Sequence, residues 1–176
     1  MIPCPSDCRV LVVANNTEVL RAVTTLFSRF GYPVSAAGNS VTALDLIGKR
    51  HFDLMVSDFN LPLANGYELA CRIKQANPRT RVVIMTGGGI SQAADYSDCR
   101  EIDDWLFKPF DIEALSNVIT VLGLPDAFHA DTPAQKADPV SVFTHDVLRQ
   151  PGNYSPHGPA WPHRNPNIKK PALTVN

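Results

Sequence analysis

Long apolar runs are missing from this chain. None of its 176 residues falls in a stretch near the roughly 18 apolar residues that a membrane helix needs, so no membrane partner is expected. The opening Met-Ile-Pro-Cys-Pro-Ser-Asp-Cys lacks the basic and apolar regions of a secretory signal, which points to a cytoplasmic protein. A dominant charge is missing too. Sixteen Lys+Arg against 17 Asp+Glu leave a net charge of -1. That argues against broad electrostatic binding to nucleic acid. Cysteine is sparse, with four residues, and reduced thiols are expected in a reducing compartment. Cys4 and Cys8 have no second close Cys/His pair to complete a tetrahedral metal site. Cys71 and Cys99 fall in helix-like stretches, and all four read as structural or incidental thiols.

What is present divides the chain in two. Nine of the 15 prolines and four of the five histidines lie in residues 125–176. That segment holds four acids and five bases, for a charge of +1, against -2 for the first 124 residues. So much proline with so few large apolar residues cannot offset the entropy of ordering. A largely disordered tail is expected over 124–176, with a domain over 8–123 and a short extension over 1–7. Within the tail, Asp138-Pro139 followed by Val140, Phe143 and Val147 has the pattern of a short amphipathic helix. Pro156, Pro159 and Pro162 make an extended stretch around Trp161. His145, His157 and His163 lack metal-ligand spacing and read as solvated.

The first 124 residues alternate strand and helix signals. Val10–Ala14, Leu54–Val56 and Val82–Met85 are short, β-branched and unalternating, as parallel strands covered on both faces should be. Val34–Ala37 and Trp105–Phe107 are weaker strands. Val19, Val23, Leu26, Phe27 and Phe30 mark one helix face, stopped by Gly31. Ala43, Leu44 and Ile47 mark a second helix, closed by Gly48. Leu69, Ala70 and Ile73 mark a third, ending before Pro78. Ser91–Cys99 is a weak fourth. Ile112, Leu115, Ile119 and Leu122 mark a fifth, capped by Asp111 and stopped by Gly123. Five strands alternating with five helices predict a doubly wound α/β domain. Such sheets carry their sites at the carboxyl ends of the strands.

Asp58, Thr86 and Lys108 each follow an apolar strand and should converge there. A carboxylate, a hydroxyl and an ammonium could bind or transfer a phosphoryl group. A structural Asp–Lys pair with a capping threonine is the alternative. Gly87-Gly88-Gly89 reads either as a phosphate nest or as a plain loop.

Five segments in this order resemble the receiver domain of two-component response regulators, across roughly residues 8–122. They are Arg9-Val-Leu-Val-Val13, Asp53-Leu-Met-Val-Ser-Asp58-Phe-Asn-Leu-Pro62, Asn65-Gly66-Tyr-Glu-Leu69, Val83-Ile-Met-Thr86-Gly87 and Asp103-Asp-Trp-Leu-Phe-Lys108-Pro109-Phe110. The resemblance implies a flavodoxin-like five-stranded parallel sheet of order 2-1-3-4-5. It implies Asp58 as phosphoacceptor from a histidine kinase or phosphotransfer protein, with Thr86 and Lys108 on the phosphoryl oxygens. It implies Asn60, through its backbone carbonyl, on Mg²⁺, and a cis Lys108-Pro109 bond. Trp105 matches an aromatic position that reports phosphorylation, or else packs on the surface of the fourth helix and fifth strand.

The two acids that such receivers place after the first strand are replaced by Ala14 and Asn15. Alanine offers Mg²⁺ no ligand and asparagine only a neutral oxygen, so Asp58 remains the sole carboxylate among the metal positions. Weak or absent Mg²⁺ binding is expected. Glu18, one turn into the first helix, points along that helix rather than at the crevice. The leading reading is a stand-alone, non-enzymatic, atypical response regulator. Its output would be contact with an unidentified protein, or homodimerisation, through the fourth helix, fifth strand and fifth helix. Two others stay open: a phosphorylation-independent adaptor, and a small flavodoxin-like cofactor binder. Against the last, Asn15-Asn16-Thr17 lacks the glycines of a phosphate loop.

Overall fold

Strands β1 (Val10–Val13), β2 (Val34–Ala37), β3 (Leu54–Asp58), β4 (Arg81–Thr86) and β5 (Asp104–Phe107) pair in parallel, in the order β2-β1-β3-β4-β5. The computed structural model describes residues 4–88, 93–96 and 98–125. Helices α1 (Thr17–Arg29), α2 (Ser40–Lys49), α3 (Gly66–Ala76) and α4 (Ile112–Val121) connect and close the sheet, after a 3-10 turn at Pro5–Asp7. No helix among the described residues is long and apolar enough to cross a membrane.

The unalternating strands are explained by two cores, one on each face. Val10, Val12, Leu54, Val56, Val83, Met85 and Leu106 point at α1 and α4, meeting Val23, Phe27, Leu115 and Ile119. Leu11, Val13, Met55, Val82 and Ile84 point at α2 and α3, meeting Ala43, Leu69, Ala70 and Ile73. Each fully buried side chain of this size contributes about 1.5–3 kcal/mol of transfer free energy, so both faces are needed to hold the sheet.

Side chains of Asn16, Asn39, Asn65 and Asp111 cap the four helices on exposed amides. Gly31 (φ 82°) and Gly123 (φ 68°) take the left-handed turn after α1 and α4 that the sequence required of them.

Some expected boundaries move. β1 stops at Val13. β3 runs on to Asp58, β4 spans Arg81–Thr86, and β5 begins at Asp104. Asp58 and Thr86 are therefore the last residues of their strands rather than the first beyond them. Gly48 does not close α2, because the Arg50 amide still donates to Leu46 O, carrying the helix to Lys49. Leu44 is 39% exposed. The buried face of α2 is instead Ser40 and Ala43, fixed by Ser40 Oγ donating to Pro62 O at 3.0 Å. Of the expected fourth helix, residues 91, 92 and 97 lie outside the described residues. Ala93 and Ala94 are helical and lead into a turn at Asp95-Tyr96. Residues 1–3 and 126–176, and with them the tail helix and the stretch around Trp161, also lie outside the described residues.

Candidate functional site

Backbone hydrogen bonds set the strand ends level with one another. The Phe59 amide donates to Met85 O at 2.9 Å, and the Lys108 amide donates to Thr86 O at 2.8 Å. Asp58, Thr86 and Lys108 thus arrive together at the carboxyl edge of β3, β4 and β5. Lys108 Nζ donates to Asp58 Oδ1 in a close ion pair, and a cis Lys108-Pro109 bond follows. Asp58 is only 4% exposed. Burial pushes its carboxyl above the usual carboxylate range, and the Lys108 ammonium opposes that rise. Thr86 is buried, and its Oγ1 accepts a hydrogen bond from the Gly88 amide at 2.9 Å. Gly89 lies outside the described residues, so the glycine run is seen only as far as Gly88.

The floor beneath Asp58 is glycine for a steric reason. A Cβ on Gly66 would sit 2.6 Å from Asp58 O and 3.0 Å from Phe59 Cα. Both are backbone atoms with no freedom to move away. The Gly66 amide donates to Phe59 O at 2.7 Å, which pins the start of α3 under the acidic residue. Between them the loop passes through Leu63, at φ 72° and 87% exposed. The Asn65-Gly66 spacing was visible in the sequence, but its role as a contact surface for Asp58 was not.

The metal positions do not fit Mg²⁺. Ala14 is fully buried and carries no donor; its amide extends the β1–β2 ladder to Ala37 O at 3.1 Å. Asn15 is exposed and neutral, Asn60 is exposed and would offer only its backbone carbonyl, and Glu18 is exposed in the first turn of α1. Asn16 is committed to capping α1, its Oδ1 accepting from the amides of Glu18 and Val19 at 2.9 and 3.1 Å. No cluster of three or more His, Cys, Asp or Glu able to hold a metal exists among the described residues. One carboxylate, already paired with a lysine, falls short of what Mg²⁺ recruits.

Trp105 is 8% exposed. It stacks obliquely on Phe59 (centroids 6.0 Å apart) and Tyr96 (6.3 Å), while Tyr96 also meets Phe59 edge-on at 5.2 Å and Tyr67 at 5.1 Å. Sequence reasoning named Trp105 but missed its two ring partners and Tyr67 beyond them, because they come from the β3 end, the segment before β5 and α3.

A doubly wound sheet with a buried Asp–Lys pair and a hydroxyl at its carboxyl edge defines a receiver-type signalling domain. The family model described as the response regulator receiver domain matches residues 10–120, and the chain belongs to that family. It is therefore a receiver module of two-component signalling, a family that works with histidine kinases or phosphotransfer proteins and generally binds Mg²⁺. The virulence sensor protein BvgS of Bordetella bronchiseptica is 33% identical over 146 residues, 79% of this chain and 12% of that protein. The DNA-binding transcriptional regulator NtrC of a Bradyrhizobium species is 30% identical over 114 residues, 65% of this chain and 23% of that protein. The chain thus spans about an eighth to a quarter of these relatives. Among solved structures, the chemotaxis response regulator CheY4 of Vibrio cholerae aligns with a TM-score of 0.60 at 25% identity, over 65% of this chain and 98% of that one. A signal receiver domain from Pseudomonas fluorescens aligns with a TM-score of 0.58 at 28% identity, over 66% of this chain and 89% of that one.

Proposed function

We propose that this protein acts as an atypical response regulator in a phosphorelay, phosphorylated on Asp58 without a firmly held Mg²⁺. The supporting observation is the buried Asp58–Lys108 pair at the carboxyl edge of the sheet. An Asp58 carboxylate oxygen attacks the phosphorus of a phosphohistidine. The P–N bond breaks, and the histidine nitrogen leaves with the electron pair and takes up a proton. Lys108 offsets charge on the phosphoryl oxygens, and the Thr86 hydroxyl is placed to bind one of them. The protein catalyses no turnover of its own. Its output is contact with another protein at the surface over Trp105. The donor set favours slow transfer, since a metal ion contributes several kcal/mol to such a transition state. Ala14 and Asn15 also relieve repulsion toward an anionic donor, which offsets part of that loss.

Incubation with a small acyl phosphate, with and without Mg²⁺, followed by intact mass tests this reading. Labelling should be slow, nearly indifferent to Mg²⁺, and absent in Asp58→Asn. The Ala14→Asp, Asn15→Asp double variant should be labelled faster and only with Mg²⁺. Equal rates and equal Mg²⁺ dependence in the two proteins would overturn the account of the missing acids. No labelling with either an acyl phosphate or a phosphohistidine donor would favour the second reading, a phosphorylation-independent adaptor, which the single-carboxylate donor set also supports.

A further inference from the structure

Opposite the Asp58 crevice, where the strands begin, a groove lies between the carboxyl ends of α2 and α3. Its volume of about 310 Å³ sits at the small end of the roughly 300–1,000 Å³ usual for ligand clefts. Phe52, Ile73 and Thr80 form a buried floor. Ile47 near the end of α2 and Ala76 at the end of α3 add apolar walls. Gly48 leaves the mouth open, since a Cβ there would meet nothing within 4 Å. The polar lining is tied together by hydrogen bonds. Asn77 Nδ2 donates to His51 Nδ1 at 2.6 Å and to Thr80 Oγ1 at 3.0 Å, and Thr80 Oγ1 donates to Phe52 O at 2.7 Å. His51 Nε2, left with the ring proton, donates to Asp53 Oδ1 at 3.1 Å. These bonds join the chain leaving α2 to the chain leaving α3, so the groove is preformed. Among the described lining residues Lys49 and Arg50 are cations and none is an acid. Lys49 is held by Asp45 at 2.7 Å. The exposed Arg50 guanidinium has no hydrogen bond or ion pair among the described residues.

We propose that this groove binds a small organic acid, with its carboxylate on Arg50 and its apolar body on the floor of Phe52 and Ile73 beside Ala76. The lining fixes both halves of that ligand. His51, Asn77 and Thr80 spend their hydrogen bonds on one another and on the backbone, so they ask little of a ligand's body, and the floor is apolar. The unanswered charge is a planar guanidinium, which takes a carboxylate through two parallel hydrogen bonds. Two helix carboxyl ends also face the groove, and their partial negative charge favours cations. Part of that field is already answered. Leu46 O accepts from the Arg50 amide at 3.1 Å, Ile73 O from the Asn77 amide at 2.8 Å, and Asn77 O from the Thr80 amide at 3.2 Å. The remainder is screened at an exposed helix end and fades within the last turn, whereas the guanidinium meets the ligand directly. That remainder weighs twice on a dianion, which selects a carboxylate over a phosphate monoester. The groove is separate from Asp58, and its test does not depend on phosphorylation.

The probe is 4-phenylbutyrate, titrated into the full chain and followed by amide NMR. Saturable shifts are expected at Arg50, His51, Ala76 and Asn77. Arg50→Gln should weaken binding about tenfold or more, the loss of a hydrogen-bonded charge. The exposed Arg21→Gln on α1, remote from the groove, should bind as the unaltered chain does. Ala76→Leu, which puts a larger side chain into the groove, should remove saturable binding while its spectrum stays that of the folded domain. Two further probes divide the ligand: 4-phenylbutanamide keeps the ring and loses the charge, and butyrate keeps the charge and loses the ring. Each should bind about tenfold more weakly or worse. Equal binding of the amide, or tighter binding of 4-phenylbutylamine, would overturn the role of Arg50. Tighter binding of phenyl phosphate would overturn the choice of a carboxylate. Shifts that do not saturate, or that centre on Asp58 and Thr86, would overturn the site.

Discussion

Lys108 Nζ donates to Asp58 Oδ1, joining residues 50 apart in sequence across the ends of β3 and β5. In a receiver with its two acids in place, that lysine answers to several carboxylates. Here Ala14 and Asn15 leave it a single anion. The crevice thus pairs one cation with one anion, and the pair is largely shielded from water.

The pH dependence of folding follows from that shielding. Burial raises the Asp58 carboxyl above its ordinary 3.8 despite Lys108. A carboxyl raised on folding holds its proton more tightly in the folded state. Its stabilising contribution is complete below 3.8 and is lost as pH climbs through the folded value. Asp58→Asn removes this term. The unfolding free energy of the unaltered protein minus that of Asp58→Asn should fall as pH rises from about 4 to about 7, measured by urea denaturation at several pH values. A flat difference would contradict it. Lys108→Ala should raise the Asp58 pKa further, read by NMR titration.

Gly66→Ala should destabilise the protein by about 1–3 kcal/mol, the range for forcing a methyl into filled space. The added Cβ meets Asp58 O and Phe59 Cα, and neither can rotate away. Helix propensity alone would predict the reverse, a gain of up to about 1 kcal/mol. Chemical denaturation decides the sign. An unchanged or raised midpoint would mean that α3 shifts freely and that the floor under Asp58 is not fixed.

The last residues described are part of the domain's packing. Leu124 lies against the first core and its amide donates to Ile119 O at 3.2 Å, while Pro125 O accepts from the Tyr32 hydroxyl. A chain ending at Pro125 should melt close to the full-length protein. One ending at Gly123 should lose about 1–2 kcal/mol, a partly buried leucine's share. Equal melting of the two shortened chains would show that Leu124 contributes nothing.

The sheet was legible because its strands carry the cause in their composition: Val10–Val13 is buried on both faces, so it reads as an uninterrupted apolar run. The crevice was legible for the same reason, since Asp58, Thr86 and Lys108 interrupt or follow such runs. α2 was misread because its orientation is set at a distance. Ser40 turns inward to reach Pro62 O, which rotates Leu44 outward, and no local period encodes that contact. Gly48 invited a stop, yet the helix needs only an amide at Arg50 to continue past it. The aromatic cluster around Trp105 was hidden because Phe59 and Tyr96, which meet it, and Tyr67, which meets Tyr96, converge only when the sheet closes.

The bond from Tyr32 to Pro125 also fixes where the chain leaves the domain. Tyr32 stands just before β2, and the Val10 amide opening β1 donates to Pro33 O at 2.9 Å. Entry into β1 and exit past α4 therefore share the pole where the strands begin, while Asp58 faces the other pole where they end. The domain has the layout of a socketed module. Both points of attachment therefore lie a full strand length from the crevice.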